Sequence, residues 1–215
     1  MTDMRALVSA GTGRLGKSVF GIISAVDPVR YAVKALVQPD NVETGWMQFG
    51  AVQAGDVRIC APPSIGTHVV LDPMEGDQEN LMVSKVLFDA VVTPPTSPAT
   101  GAPAQPGELL IMAGCGAPPG SPTGTAAGSA AANAPWWHLT AAALYSGAGD
   151  ATQTMTNGSQ VWAVGGCTAT LSASGFTVTG GTIRSDTDVI ADTISGKTHE
   201  HTNGNDGGNT GEPIA

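Results

Sequence analysis

The sequence predicts an all-β protein, and its composition and residue pattern give the reasons. Strong helix formers such as Lys, Glu, Arg and Leu are scarce, whereas Val, Ile and Thr occur in short runs separated by Gly, Asn or Asp. Only 13% of the residues are charged and 5% are aromatic. This composition is poor material for a large globular core and suits turns and repetitive β-structure. We therefore expect an elongated or oligomeric protein.

The strand signals in residues 19–90 predict a small closed barrel. About six short apolar runs are separated by turn residues; they are residues 20–26, 31–37, 46–49, 57–60, 68–71 and 81–87. Prolines and glycines at 62–66 and 72–77 end one strand and set the turn to the next. Strands of this number and spacing predict an OB-fold domain, preceded by an N-terminal segment at residues 1–18.

Residues 91–150 are predicted to be a linker or an insertion. Most of the fifteen prolines lie between Thr93 and Pro135, mixed with Ala, Gly, Ser and Thr. Only Glu108 to Met112 in that stretch has the pattern of a strand. A segment with so few large apolar side chains cannot order as a globule by itself. We interpret it as a segment that lies over a partner subunit.

Residues 151–197 are predicted to form a stem of thin strands. Proline is absent from Trp136 to Glu212, and short runs of alternating polarity are separated by glycine. Burial at about 25 cal/mol per Å² cannot offset about 1–2 kcal/mol per residue of backbone ordering in a lone chain.

Three copies around one axis would bury the apolar side chains of this stem and pair its open strand edges. The prediction is therefore a homotrimeric, intertwined, triple-stranded β-helix. Its expected inward side chains are Leu171, Phe176, Val178, Ile183, Val189 and Ile194. A single-chain β-helix is the alternative, for which the segment has too few coils.

The last segment, residues 198–215, contains two histidines at strand spacing. Residues i and i+2 of a strand point to the same face, so His199 and His201 project together. On a threefold axis, three copies supply six imidazole nitrogens, a closed octahedral set that suits a first-row divalent ion such as iron. The sequence predicts one structural iron (Fe) per trimer in a small apex. A solvated polar tail is the alternative.

The tip and the first block together resemble one known protein family. Residues 199–213 read His-Glu-His-Thr-Asn-Gly-Asn-Asp-Gly-Gly-Asn-Thr-Gly-Glu-Pro. Residues 61–69 read Ala-Pro-Pro-Ser-Ile-Gly-Thr-His-Val, and residues 73–77 read Pro-Met-Glu-Gly-Asp. The chain thereby resembles the central spike, or baseplate assembly protein V, of Mu-like and related contractile phages. This resemblance implies a homotrimer with an OB-fold base, an intertwined β-helix and an apex whose paired histidines bind iron.

The function that the resemblance implies is mechanical. The OB-fold end would dock to a tail tube or hub protein and to baseplate proteins, and sheath contraction would drive the pointed end through the host outer membrane. The protein would act in the virion, at the tip of the tail baseplate. We expect synthesis in the host cytoplasm, because residues 1–17 lack the continuous apolar core of a signal peptide. A spike-like adaptor of a contractile secretion system and a receptor-binding fibre are the alternatives.

Charge and motifs argue against other classes of function. The formal net charge of -9 and the absence of a Lys/Arg cluster disfavour nucleic-acid binding. No G-x-S-x-G or H-E-x-x-H motif occurs, so we predict that the protein is not an enzyme. The enzymatic rival is an iron site with open positions, formed by His199, His201 and Asp206.

The remaining candidate residues are assigned no site. The three cysteines are far apart and are interpreted as free thiols or small buried residues; they are Cys60, Cys115 and Cys167. His68 and His138 have no second ligand at near spacing, so we expect ordinary surface or interface residues. Trp136 and Trp137 are expected to pack against the trimer or the linker.

Overall fold

The protein is all-β in every part that its structure, a computed structural model, describes. The described residues are 16–54, 56–116, 118–119, 131–192, 194–196, 198 and 200. They form strands β1 to β17 and no helix, so the predicted fold class is confirmed at this level. It follows that this part of the chain holds no helix that could span a membrane.

The strands fall into two larger sheets and two hairpins. The first sheet contains β1 Val19–Asp27, β2 Ala32–Val37, β3 Val42–Glu43, β4 Met47–Gln48, β7 His68–Met74 and β8 Asp77–Val86. The second contains β9 Leu109–Met112, β10 Trp136–Leu139, β11 Ala143–Ala148, β12 Ala151–Thr156, β13 Ser159–Val164, β14 Cys167–Ser172 and β15 Gly175–Thr179. The hairpins are β5 Val52–Ala54 with β6 Val57–Ile59, and β16 Ile190–Ala191 with β17 Ile194–Ser195.

The first sheet curls until its two ends meet. Its order is β3-β2-β1-β7-β8, and β4 also pairs with β2. Directly after β4, Phe49 forms a parallel bridge with Val83 of β8. The strands β1, β2, β4, β8 and β7 therefore follow one another around a closed ring.

The barrel core lies inside this ring. Successive residues of a strand point to opposite faces, so Val69 and Leu71 are buried while Val70 between them is not. The buried cluster consists of Ile23, Val33, Ala35, Met47, Val69, Leu71 and Val83. Strands are present in all six predicted runs of this block, and five of them supply the common core. The run at residues 57–60 instead forms β6 of a separate hairpin, where its side chains are exposed.

The connection between β7 and β8 is a tight two-residue turn. Glu75 and Gly76 both have positive φ, of 53° and 80°, as a type I′ hairpin turn requires. A glycine reaches this conformation without steric cost, which explains the Glu-Gly-Asp sequence at this point. The turn places the tip of β8 beside the segment between β3 and β4.

The second sheet is an antiparallel meander in which spatial order equals chain order. It runs β15-β14-β13-β12-β11-β10-β9. At roughly 4.8 Å per strand, the chain advances about 29 Å from β9 to β15. The strands from β10 to β14 have both neighbours within the same chain, whereas the sequence argument expected open edges paired between chains. Short hairpin turns explain the difference, because they bring consecutive strands together locally.

The meander also runs through the segment that was predicted to be a linker. Its β9 matches the predicted strand at Glu108 to Met112, but β10 and β11 were not predicted. The ladder continues across residue 150, since Ala148 of β11 pairs with Ala151 of β12. Beyond β15, residues 182–184 form no strand, although Ile183 was among the expected inward side chains of the stem.

Candidate assembly face and tip

The register of the meander sorts its side chains onto two different faces. Directly opposite residues of an antiparallel pair point to the same side, so a face can be followed from strand to strand. For example, Leu171 pairs with Phe176, and Gln160 pairs with Leu171. One face, called the apolar face below, carries Leu109, Ile111, Trp137, Leu139, Leu144, Met155, Trp162, Val164, Leu171, Phe176 and Val178.

The opposite face is dominated by hydroxyl side chains. It carries Thr152, Thr154, Ser159, Thr168, Thr170, Ser172, Thr177 and Thr179. Threonine is favoured in strands and its hydroxyl group is readily hydrated, which suits a solvent-facing side of a sheet. The two faces therefore differ sharply in polarity.

The apolar face is uncovered in the single chain. Every large apolar side chain of the meander that is strongly exposed lies on it, with exposed fractions from 37% for Trp162 to 64% for Val164. A contiguous apolar surface of this kind marks an interaction site in a soluble protein. Three of the side chains predicted to point inward share this face: Leu171, Phe176 and Val178. The other three, Ile183, Val189 and Ile194, lie beyond the meander and are also exposed.

The chain continues from the meander towards the predicted metal site through the β16–β17 hairpin. Gly196 N donates a hydrogen bond to Val189 O at 2.6 Å, and Thr198 N donates to Ser195 Oγ at 2.9 Å. These contacts hold the backbone directly before the histidine pair. His199, His201 and Asp206 themselves lie outside the described residues, so the metal-site prediction stays a prediction.

The donor chemistry sets a condition on that metal site. One chain brings two imidazoles to this segment, and a closed octahedral set needs six nitrogens. A set made only of imidazoles therefore requires three copies of this segment around an axis. Among the described residues, which do not include this histidine pair, no group of three or more His, Cys, Asp or Glu side chains could hold a metal ion.

His138 is not the surface or interface residue that the sequence suggested. It is fully buried and lies on the hydroxyl-rich side of the sheet, where it joins two distant segments. Its Nδ1 lies 2.8 Å from Ser97 Oγ, and its Nε2 lies 3.2 Å from Glu108 Oε2. A carboxylate only accepts hydrogen bonds, so Nε2–H donates to Glu108; in the corresponding neutral tautomer, Nδ1 accepts from the Ser97 hydroxyl.

The hydrogen-bonded series Ser97–His138–Glu108 contains the residue types of a hydrolytic triad, but its serine is not accessible to a substrate. Ser97 is fully buried, and its Oγ also accepts from Ala99 N at 3.3 Å. No substrate can reach a nucleophile enclosed in this way, so the arrangement fastens the turn at residues 97–102 to strand β10. The sequence did not reveal it because His138 lies 30 positions from Glu108 and 41 from Ser97, with no motif that connects them.

His68 is partly exposed, and its Nδ1 forms a hydrogen bond with Asp89 Oδ2 at the end of the barrel. Asp89 also accepts hydrogen bonds from Val92 N and Val91 N. The Val92 amide contributes most, followed by His68 and the Val91 amide, and together they lower the pKa of Asp89 to about 2. The pair ties the start of β7 to the chain that leaves β8.

The three cysteines agree with the prediction of free thiols, whereas the predicted packing of Trp136 and Trp137 against the trimer or the linker stays a prediction. All three cysteines are free thiols, and Cys115 has its pKa raised by burial. Trp136 is buried against Gly147, where an added Cβ would lie 2.9 Å from the indole ring. Trp137 points the other way and is part of the apolar face.

Comparison with known proteins does not add a family. No family model matches the chain, and no curated protein matches it at a significant level.

Proposed function

We propose that the protein is the homotrimeric central spike of a contractile phage tail baseplate. In this role it caps the tail tube and pierces the host outer membrane when the sheath contracts. The observation that carries the proposal is the apolar face of the meander, which gathers the exposed large apolar side chains of a seven-stranded sheet on one side.

The apolar face supports a trimer because identical faces can cover one another around an axis. Three such sheets would bury their apolar sides together and leave three hydroxyl-rich faces in water. This arrangement also supports the proposed β-helix, in a form where each chain contributes a continuous sheet to one side. Each buried large apolar side chain would contribute about 1.5–3 kcal/mol relative to its exposed state.

The direction of the meander supports a needle shape. Its strands follow one another in chain order, so the chain advances in one direction from β9 to β15, a course that would carry it from the barrel towards the proposed apex. A force applied at the barrel would then be transmitted along the hydrogen-bonded ladder. The hydroxyl-rich outer face offers no large apolar surface that would adhere to membrane lipid.

The strand order of the barrel supports an OB-fold base that docks to the tail tube. Five strands close the ring in the order β1, β2, β4, β8 and β7, and the contact between Phe49 and Val83 is parallel. Small five-stranded barrels of this type are compact platforms for binding partners. We propose this end as the attachment site for the hub and baseplate proteins.

The proposed apex holds one iron ion through His199 and His201 of all three chains. A bound iron would supply cross-links between the three chain ends, and with six imidazole ligands it would keep no open position for a substrate. The role is therefore structural, and we propose that the protein is not an enzyme. The paired histidines act by fixing the ends of the three chains at one point.

The proposal is tested by native mass spectrometry and metal analysis of the untagged, full-length chain. We expect a trimer that contains one iron per three chains. The double variant His199→Ala with His201→Ala should lose the iron and keep the trimeric mass, because the apolar face remains intact. A folded monomer would contradict the proposal, and so would one metal ion per chain with exchangeable water, as the enzymatic rival requires.

The location of the protein in assembled particles separates the spike from its alternatives. Antibody labelling of particles in electron microscopy should mark the tail axis at the baseplate. Labelling at the periphery would favour a receptor-binding fibre. Labelling on a contractile apparatus that lacks a phage head would favour an adaptor of a secretion system.

A further inference from the structure

A groove opens on the outside of the barrel, and none of its lining residues belongs to the apolar face. Its volume is about 380 Å³, which falls in the usual range of small-molecule sites, roughly 300–1,000 Å³. One wall is formed by residues 42–48 around the β3–β4 connection, and the other by Met74 and residues 78–81 of the β7–β8 hairpin. The proposed function uses none of these side chains.

A tryptophan occupies the exposed part of this groove. Trp46 is 53% exposed, although its neighbour Met47 is buried in the barrel core. The segment that carries it is fixed to β2, because Thr44 N donates to Ala35 O at 2.9 Å and Ala35 N donates to Thr44 Oγ1 at 3.0 Å. The indole is therefore presented by a fixed scaffold, as a preformed binding surface requires.

A cation of the protein itself already lies beside the indole ring. Lys34 Nζ is 5.6 Å from the centroid of Trp46 and donates a hydrogen bond to Glu43 Oε2 at 3.1 Å. Ser24 Oγ donates to Glu43 Oε1 at 3.0 Å. The hydrogen bond from Lys34, followed by that from Ser24, lowers the pKa of Glu43. Because Lys34 fills the cation position and is neutralised by Glu43, the groove favours neither a cationic nor an anionic ligand.

The remaining rim of the groove is polar and uncharged except for one carboxylate. Gln48, Gln78, Glu79 and Asn80 are exposed along it. A side-chain amide both donates and accepts hydrogen bonds, and hydroxyl groups have the same dual capacity. The flat indole offers an apolar surface for the C–H side of a sugar ring, while a phosphate group would meet the carboxylate of Glu79.

We propose that this groove binds a neutral oligosaccharide. Trp46 stacks on one sugar ring, and the amides of Gln78 and Asn80 bind its hydroxyl groups. Amphipathic ligands of this kind match a site that combines one aromatic surface with a few convergent polar groups. The site would give the barrel a recognition activity that is independent of the piercing role.

The test is isothermal titration calorimetry of the full-length chain with maltohexaose, cellohexaose and chitohexaose. We expect saturable binding of at least one of these probes. Trp46→Ala should weaken that binding by about tenfold or more, and Gln78→Ala with Asn80→Ala by a smaller factor. Phe20→Ala is the matched control, because Phe20 is an exposed aromatic residue of the same barrel outside the groove, and it should leave binding unchanged.

Three results would overturn the proposal: no binding of any of the three neutral probes, equal binding by Trp46→Ala and the native chain, or tighter binding of a sulfated hexasaccharide than of the neutral ones. Native mass spectrometry should give Trp46→Ala the same oligomeric mass as the native chain. A loss of sugar binding at unchanged mass is thereby distinguished from a failure of the trimeric spike. The groove lies within one chain, so its occupancy is measurable whatever the oligomeric state.

Discussion

The barrel and the meander are both built from short antiparallel strands, yet they place their apolar side chains in opposite situations. The seven core residues of the barrel are exposed by 7% or less, whereas the strongly exposed apolar side chains of the meander's apolar face are uncovered by 37% to 64%. In a curled sheet, the apolar side chains of the inner face pack against one another. The apolar face of an open sheet is buried only when another sheet, segment or subunit packs on it.

Local irregularities in the ladder account for this difference. The pairing of β1 with β2 shifts between Ile23 and Ala25, and the pairing of β7 with β8 shifts at two further points. Such bulges bend and twist a strand, which helps a short sheet to close. The pairs from β9 to β15 run in continuous register, and the sheet they form does not close on itself.

The largest expected effect tests whether the apolar face of the meander is covered by other copies of the chain. Phe176→Glu places a charge on this face, and we expect the trimer population to fall by at least about tenfold, because a charge buried without a partner is costly. Thr177→Glu is the control on the opposite face of the same strand and should leave the trimer intact. Native mass spectrometry of both variants measures the effect. Equal trimer populations would refute the assignment of the two faces.

Truncation of one leucine in each region sharpens the comparison. Leu71→Ala removes a fully buried side chain and should lower the free energy of unfolding by about 2–5 kcal/mol. In a monomeric background such as Phe176→Glu, Leu171→Ala should lower the free energy of unfolding by less than about 1 kcal/mol. The reason is that the Leu171 side chain is half exposed in the single chain. Urea denaturation followed by circular dichroism measures both values. A large loss for Leu171→Ala in that background would mean that the meander has its own core.

His138 tests how the meander is attached to the turn at residues 97–102. His138→Ala leaves Ser97 and Glu108 without their shared partner, so we expect a loss of about 1–3 kcal/mol and faster amide exchange in the turn. Ser97→Ala removes only one of the two hydrogen bonds and should cost less. Hydrogen exchange read by mass spectrometry distinguishes the two variants. Unchanged exchange in His138→Ala would show that other contacts hold the turn.

The smallest effect is the acid sensitivity of the barrel at Asp89. Its pKa is lowered from an ordinary value of 3.8 to about 2 in the folded protein, so its stabilising contribution is complete above about pH 4 and is lost as the pH falls towards 2. Because Asp89 is partly exposed, we expect only about 0.5–1 kcal/mol. The difference in stability between the native chain and Asp89→Asn should shrink across this window. A constant difference from pH 5 to pH 2 would exclude the mechanism.

Local sequence patterns were sufficient to predict many of the strands. They were insufficient to predict the contacts between segments that are far apart in the chain. The strands around Val69 and Leu71 were predictable because apolar alternation is a local signal. The strands β10 and β11 were missed, since the neighbouring prolines made residues 91–150 read as a linker. The contacts of His138 with Ser97 and Glu108 join positions far apart in the chain, and no spacing rule connects them.

The sequence alone determined that the protein is all-β, where most strands lie, and that its later strands have a thin apolar side. It also identified the histidine pair on which the metal prediction depends. Only the tertiary structure decided which strands meet to close the predicted barrel, that the later strands pair within one chain, and which of their apolar residues share one face across the sheet. The physical reason is that alternation along a strand is local, whereas register between strands sets which residues meet.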